Sequence, residues 1–581
     1  MLFLKVVVWF LLLLVECFSF STVPGRQNDG IGVTSSKQNI ILPSEDTNNL
    51  RSQLEGVNFE KWVQDSKDEV PHPKELREVE GEFPKYLKGS LIRNGPALFS
   101  TSKRRYLHVF DGMAKLSKYH LNEGKVSFQT RFVQSDWYKS MKDKDQMALS
   151  VSTGPVDPPL SKLEGVRALF NSGGFDNTPV NVVQWGGKTG PFVAITDAPV
   201  AMEFDPKTLE TKGKLQYKEN FGVELFSTAH PAKQVDGTDI FNYVLELGVF
   251  RENKMHVFRS GSDGRRTLIG TVSVGKEIPY IHQISVTENY AILVKYPVNW
   301  PLGGSSDFLR NLEWKGADEP TKIYVFDLKS ENLAPIKTFE STPFFSYHHI
   351  NAFERKEESQ IVLDLIGYDT LDIVNSDDGF LYIDKMANPD TRDRTVGGGQ
   401  VQKTYRLVLD LPGSLSAGAT STFARPFVVP QYFPRRDKTG YMHGTEFPTI
   451  NSNFNGKPYR YVYGASAYAG LRAATGAPEF ANWALIKQDL AAAEGDPDGT
   501  TALVWSAPSQ YPSEPVFVAD PDGSAEDDGV LLSQVYDGHR DEAYLLCLDA
   551  QTMLPVAKAY TGRRAGMDFH GKWFDDYDGS L

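Results

Sequence analysis

The sequence predicts an all-β chain closed by radial repetition, as in a β-propeller, and three observations lead there. Runs such as KIYVFDLKSENL, YRLVLDLPGSL and YLLCLDAQTMLPVAKAY are rich in β-branched and aromatic residues and broken by turn residues. An apolar residue, then Asp, then Ser or Thr a few positions on recurs at Asp205, Asp327, Asp410 and Asp549, which reads as one hairpin unit used repeatedly. Asp-Gly and Asn-Gly pairs, the strongest short-range hairpin signals, punctuate the chain from Asp111-Gly112 to Asp578-Gly579 and include Asn94-Gly95 and Asn455-Gly456. No Pro/Ser-rich linker divides the body after about residue 60, so the strands belong to one architecture. A large sandwich is the competing arrangement on these grounds.

Taken in order, the chain opens with one lysine and ten apolar residues, Val6 to Val15. That is too short to span a bilayer comfortably and reads as the h-region of a signal peptide over residues 1–21. Residues 22–58 are rich in Ser, Thr and Asn, which fits either an organelle-directing segment or an unstructured secreted N-terminus. Of the two cysteines, Cys17 lies in this leader and Cys547 is left alone, so the remainder forms no internal disulfide. The expectation that follows is entry by the secretory route, with a plastid favoured over a secreted or lumenal fate. The propeller domain is expected over residues 59–581, with helices confined to Phe59–Ser66, Pro159–Phe170 and Asn482–Glu494.

A net charge of −13 excludes a basic phosphate-binding surface, so nucleic acid is not an expected partner. A Walker A loop, HExxH and paired CxxC are all absent, and any metal must be held by histidine or carboxylate. Four histidine positions share strand-like apolar surroundings: His230 in FSTAHP, His282 in PYIHQISV, His348 or His349 in YHHINAF, and His570 in MDFHGKWF. Neighbours on a strand face opposite ways, so Tyr280, His282 and Ile284 share a face and only one of His348 and His349 faces a common centre. Four imidazoles from separate blades converging on an axis would hold one ion; packed, hydrogen-bonded histidines are the plainer alternative.

These blocks resemble the carotenoid cleavage oxygenases. The similarity runs from GEFPKYLKGSLIRNGP (Gly81 to Pro96) through HVFDGMAKL, FDNTPVNVV, YIHQISVTENY, FFSYHHINAFE, EFPTIN and SEPVFVADP to DFHGKWF. It implies a seven-bladed β-propeller with a loop-and-helix dome over an axial site, one Fe(II) per chain held by four histidines, and dioxygen as co-substrate. Carried onto this chain, the ligands are His230, His282, His348 and His570; Asn351, three residues on, selects His348 over His349. The three glutamates that orient the family's imidazoles fall on Asp197, Glu446 and Glu514. Asp197 is one methylene short, so its hydrogen bond is expected to be lost or bridged by water.

The resemblance implies a dioxygenase that cleaves a conjugated double bond of a carotenoid or apocarotenoid into two carbonyl products. An iron-dependent isomerase or isomerohydrolase and a non-catalytic carotenoid-binding propeller are the alternatives. Pro159 stands where animal members carry a cysteine linked to membrane attachment, which removes lipid anchoring there. Trp137 stands where stilbene cleavers hold a phenol with lysine, which suits an apolar polyene instead. Peripheral membrane association is expected, and Trp300, Leu302, Phe308, Leu309, Leu312 and Trp314 read equally as an exposed apolar patch that would dock or as ordinary core packing.

Overall fold

Seven antiparallel sheets of four or more strands follow one another along the chain, each packed against the next, and together they form a seven-bladed β-propeller. The computed structural model describes residues 56–576 except 148–152, 162, 165–174, 235–236, 302–307, 376–380, 389–390, 392–401, 413–422, 425, 430–444, 468–480, 482 and 494–501. The signal-peptide expectation and nearly all of the 22–58 segment therefore lie outside the described residues.

The ring closes through the chain ends. The C-terminal strand His570–Asp575 is the innermost strand of blade 1 and pairs with Gly89–Leu98, followed outward by Met113–Asn122, Lys125–Phe132 and Val70–Glu75. Between its two visits to blade 1, the N-terminal segment lays Val79–Gly81 on the outer edge of blade 7, against Pro555–Tyr560. Blades 2 to 6 run in sequence over residues 181–214, 223–273, 285–341, 349–429 and 446–505, and blade 7 over 510–560.

The repeated Asp marks the same corner in four blades. Asp205 follows the third strand of blade 2, and Asp327, Asp410 and Asp549 end the third strands of blades 4, 5 and 7. In three of them the carboxylate caps the turn to the next strand outward: Asp205 Oδ1 accepts from the Lys207 and Thr208 amides, Asp327 Oδ1 from the Lys329 amide and Asp549 Oδ1 from the Thr552 amide, while Asp410 Oδ1 accepts from Gln360 Nε2. Asn455-Gly456 and Asp263-Gly264 also lie in turns. Asn94-Gly95 does not: it sits inside the fully buried strand Gly89–Leu98. A Cβ on Gly95 would lie 2.4 Å from Asp568 Cα, so this glycine admits the returning C-terminal segment instead of turning the chain.

Two helix expectations are corrected. Residues 483–489 form a wholly buried strand of blade 6, Trp483–Asp489, and only Leu490–Ala493 beyond it is helical. Pairing on both sides, with Tyr461–Ala467 and Leu503–Trp505, overrides the helix propensity of its Ala, Leu and Lys. The first helix is shorter than expected, Phe59–Trp62. Pro159–Phe170 falls largely outside the described residues, and an unexpected helix, Asp136–Lys144, is capped by Ser135 Oγ accepting from the Tyr138 amide.

Candidate metal centre

The propeller puts chemistry where its blades repeat. In six blades the innermost strand begins at, or within three residues after, a predicted site residue. His230 precedes Ala232–Lys233, His282 precedes Ser285–Val286, His348 precedes His349–Arg355 and Glu514 precedes Val516–Ala519; Glu446 and His570 open their own strands. The remaining blade supplies Asp197 just after its second strand, Phe192–Ile195. Equivalent positions on radially arranged strands form one ring around the axis, and residues far apart in sequence meet there.

One ligand atom from each of His230, His282, His348 and His570 lies within 4.8 Å of the others. Nitrogens on opposite sides of one ion would be about 4.2 Å apart at a metal–nitrogen distance of about 2.1 Å. The rings of His230 and His570 approach to 4.3 Å between centroids, and those of His230 and His282 to 4.7 Å. Nε2 of His230 and of His348 are buried without a hydrogen-bond partner, which costs about 1–3 kcal/mol each unless something else fills them. Burial first, then the neighbouring imidazoles, pushes His230 well below its ordinary pKa, and burial lowers His570 to about 4 against the opposing pull of Glu514. Both rings are therefore neutral at pH 7, the form a metal requires. Unpartnered nitrogens, neutral rings and an all-imidazole donor set fit a divalent transition metal.

Three of the rings are anchored from behind. His348 Nδ1 meets Glu446 Oε2 at 2.5 Å, His282 Nδ1 meets Asp197 Oδ2 at 2.7 Å, and His570 Nδ1 meets Glu514 Oε1 at 2.9 Å. The expected loss of the shorter Asp197 arm is thus corrected. Asp197 reaches because residues beyond its own blade hold its carboxylate: Oδ1 accepts from the Ala229 amide of blade 3 at 3.0 Å, and Oδ2 also accepts from the Tyr280 hydroxyl at 2.8 Å. Burial opposes ionisation of Glu446 and Glu514, but the facing histidines, with Tyr368 and Arg93, hold both carboxyls below their ordinary pKa. His349 turns away, its Nδ1 2.7 Å from Ser285 Oγ and its Nε2 3.0 Å from the Tyr296 hydroxyl.

A cavity of about 460 Å³ opens onto the cluster, within the size range of small-molecule sites. Its walls carry His282, His348 and His570 together with Trp137, Phe226, Tyr280, Phe308, Tyr347, Phe447 and Phe569. Trp137, placed by the helix Asp136–Lys144, is buried in this wall. The exposed-patch reading is corrected: Trp300, Leu309 and Leu312 are buried, Phe308 and Trp314 half-buried, and Trp300, Phe308 and Leu309 line the cavity. Trp300 and Phe308 pack on Phe226, and Phe308 also packs on Tyr280, so these rings are spent on the cavity wall. Leu302 lies outside the described residues.

Several participants escaped sequence reasoning. Tyr280 was legible only as a same-face neighbour of His282, and Tyr368, which donates to Glu446 Oε1, gave no signal at all. Phe447 adopts a left-handed backbone (φ 52°) beside His348 and His570, an uncommon conformation for a bulky residue that turns its amide toward Glu446 Oε2 at 3.2 Å.

Comparison with known proteins agrees with this architecture. A family model described as retinal pigment epithelial membrane protein matches residues 63–575. The chain belongs to the carotenoid cleavage oxygenase family. It is similar to the ferret (Mustela putorius furo) protein named carotenoid-cleaving dioxygenase, mitochondrial, at 30% identity over 85% of this chain and 92% of that one. It is also similar to the mouse β,β-carotene 15,15′-dioxygenase, at 25% identity over 86% of this chain and 89% of that one. A solved Synechocystis apocarotenoid oxygenase mutant shares the fold with a TM-score of 0.71, at 22% identity over 89% of this chain and 98% of that chain. Membership of this oxygenase family makes the chain an enzyme. The secretory and plastid expectation is corrected by relatives named as mitochondrial enzymes in ferret, macaque and human, which point away from either compartment. It rested on one lysine and a short apolar run, a Ser/Thr/Asn-rich segment and a lone cysteine, a pattern that fixes composition and not destination.

Proposed function

We propose that this chain is an iron(II)-dependent dioxygenase that cleaves a conjugated carbon–carbon double bond of a carotenoid or apocarotenoid. Both atoms of dioxygen are placed across the double bond, one on each carbon, so one alkene and one dioxygen give two carbonyl products with no other co-reactant. The observation that carries this reading is the four-histidine cluster with unpartnered buried nitrogens at the wall of an aromatic cavity. His230, His282, His348 and His570 would hold the metal, which supplies activation of dioxygen. Asp197, Glu446 and Glu514 each accept a proton-bearing Nδ1, fix the tautomer and turn Nε2 inward. Trp137, Phe226, Phe308 and Phe447 hold a flat apolar polyene against the cluster and exclude water.

A polyene of this kind resides in lipid, and the docking element we assign is the loop 248–253 of blade 3. Phe250 is 94% exposed and Val249 38%, beside Arg251, Lys254 and Lys276. The preceding strand pairs with Val223–Phe226, whose Leu225 and Phe226 line the cavity. Replacing Phe250 by Ser is expected to weaken sedimentation with anionic vesicles several-fold without changing turnover of detergent-dispersed substrate.

The deciding experiment incubates iron-loaded protein with carotenes, xanthophylls, apocarotenals and retinyl esters under labelled dioxygen. Labelled aldehydes or ketones are the expected products, and their masses locate the cleaved bond. Unlabelled isomers or free alcohols would refute cleavage.

A further inference from the structure

We propose that Arg93 is a positioning residue for His570, acting through Glu514, and that it ties closure of the propeller ring to the metal centre. The proposal rests on the metal reading above. Arg93 lies on Gly89–Leu98, where it pairs with Gly571 while its neighbour Asn94 pairs with His570. Its side chain is wholly buried at 0% exposure, and it bridges three distant parts of the chain. Nη1 donates to the Glu514 carbonyl at 3.0 Å and to Glu514 Oε2 at 3.3 Å. Nε and Nη2 donate to Asp568 Oδ1 at 3.1 and 2.5 Å, and Nη2 also reaches the Phe569 carbonyl at 3.3 Å. Glu514 then holds the histidine segment from its other side, accepting from His570 Nδ1 and, at 2.9 Å, from the Gly571 amide.

The other anchoring carboxylates receive only neutral donors besides their histidines: the Ala229 amide and the Tyr280 hydroxyl on Asp197, and the Phe447 amide and the Tyr368 hydroxyl on Glu446. The difference follows from topology. His282 and His348 are delivered by strands inside continuous blades. The strands that follow them, Ser285–Val286 and His349–Arg355, pair with the next strand in sequence, whereas His570 arrives on the final strand, whose partner Gly89–Leu98 comes from the other end of the chain. A ligand at the loose end of a ring needs a stiff tie, and a planar guanidinium that grips two carboxylates supplies geometry a hydroxyl cannot.

The test measures ferrous iron affinity by anaerobic chelator competition on the full chain. Arg93→Gln is expected to weaken binding by about 10-fold, the scale of losing a partner behind a ligand. Arg93→Lys, which keeps the charge without the fork, should recover part of that loss. Gln534 Nε2 donates to Asp568 Oδ2 at 2.5 Å, and Tyr119→Phe, which cuts only the 2.9 Å bond from the Tyr119 hydroxyl to Gln534 at the outer end of this network, should leave affinity unchanged. In a Glu514→Gln background the Arg93→Gln loss should nearly vanish, since the two act as one unit. Arg93→Gln also strands Asp568 as a buried, unpaired carboxylate, so it is made again with Asp568→Asn and the melting temperature of each metal-free protein is recorded. Iron affinity equal to the wild type in a folded Arg93→Gln protein, or additive losses in the cycle, would overturn the proposal while leaving the metal reading intact. A wild-type chain that binds no iron would remove both.

Discussion

His348 and His349 are consecutive, equally buried and chemically identical, yet they have opposite fates. His348 has Nδ1 anchored on Glu446 and a buried Nε2 with no partner, facing three other imidazoles. His349 has both nitrogens engaged, by Ser285 and Tyr296, and burial, then the neighbouring imidazoles of His348 and His282, lower its pKa to about 3. The strand pleat separates them, but the pleat alone does not decide which is the ligand. What decides is which nitrogen is left open while the other is held. On the proposed reading the metal site is a set of incomplete hydrogen bonds, and the packing histidine is a completed one.

The largest effect expected from that contrast comes from removing each twin. His348→Ala should lower iron affinity by more than the about 10–100-fold typical of losing a partner behind a ligand, and product formation should fall with it. His349→Ala should keep its iron and lose stability instead, by about 1–3 kcal/mol, because the Ser285 and Tyr296 hydroxyls are left without their partner. Metal analysis after desalting and urea unfolding of the same samples separate the two. Iron loss from His349→Ala with His348→Ala unaffected would reverse the assignment.

How much of this was legible in the sequence follows the same division. The blade corners were, because Asp205, Asp327 and Asp549 satisfy local turn amides and, with Asp410, repeat at one place in the blade. The four histidines stood out by their strand-like apolar surroundings, although His230, His282 and His348 lie just before strands and only His570 within one, and family resemblance, not spacing, gathered them into one set. Long-range partners were silent: Tyr368 and Arg93 act on carboxylates 78 and 421 residues away, and nothing local marks them. The region 300–314 misled for a related reason, since its aromatic residues read equally as exposed patch or cavity wall until the blades beneath them are in place.

Weakening the anchor while keeping the ligand should give the next largest effect. Glu446→Gln retains an acceptor for His348 Nδ1 but removes the charge that favours it, and about a 10-fold loss of iron affinity is expected. Asp197→Glu should move in the same direction and by less, a few-fold. Asp197 already satisfies the Ala229 amide, Tyr280 and His282 together, so an added methylene must displace one of them. Tighter iron binding in Asp197→Glu would instead show the shorter arm to be a compromise.

The smallest effect tests whether an open nitrogen is sufficient. Tyr296→Phe removes the hydroxyl 3.0 Å from His349 Nε2 and so gives His349 the same half-finished bonding as His348, Nδ1 held and Nε2 free. No other imidazole or carboxylate is grouped with His349 among the described residues, so the freed nitrogen has nothing with which to share an ion. The expected result is a stability loss of about 1 kcal/mol with iron still at one per chain. A second equivalent of iron in this variant would mean that an unfilled nitrogen alone recruits metal. Unchanged stoichiometry places the requirement in the ring of blades, which brings four such nitrogens to one point.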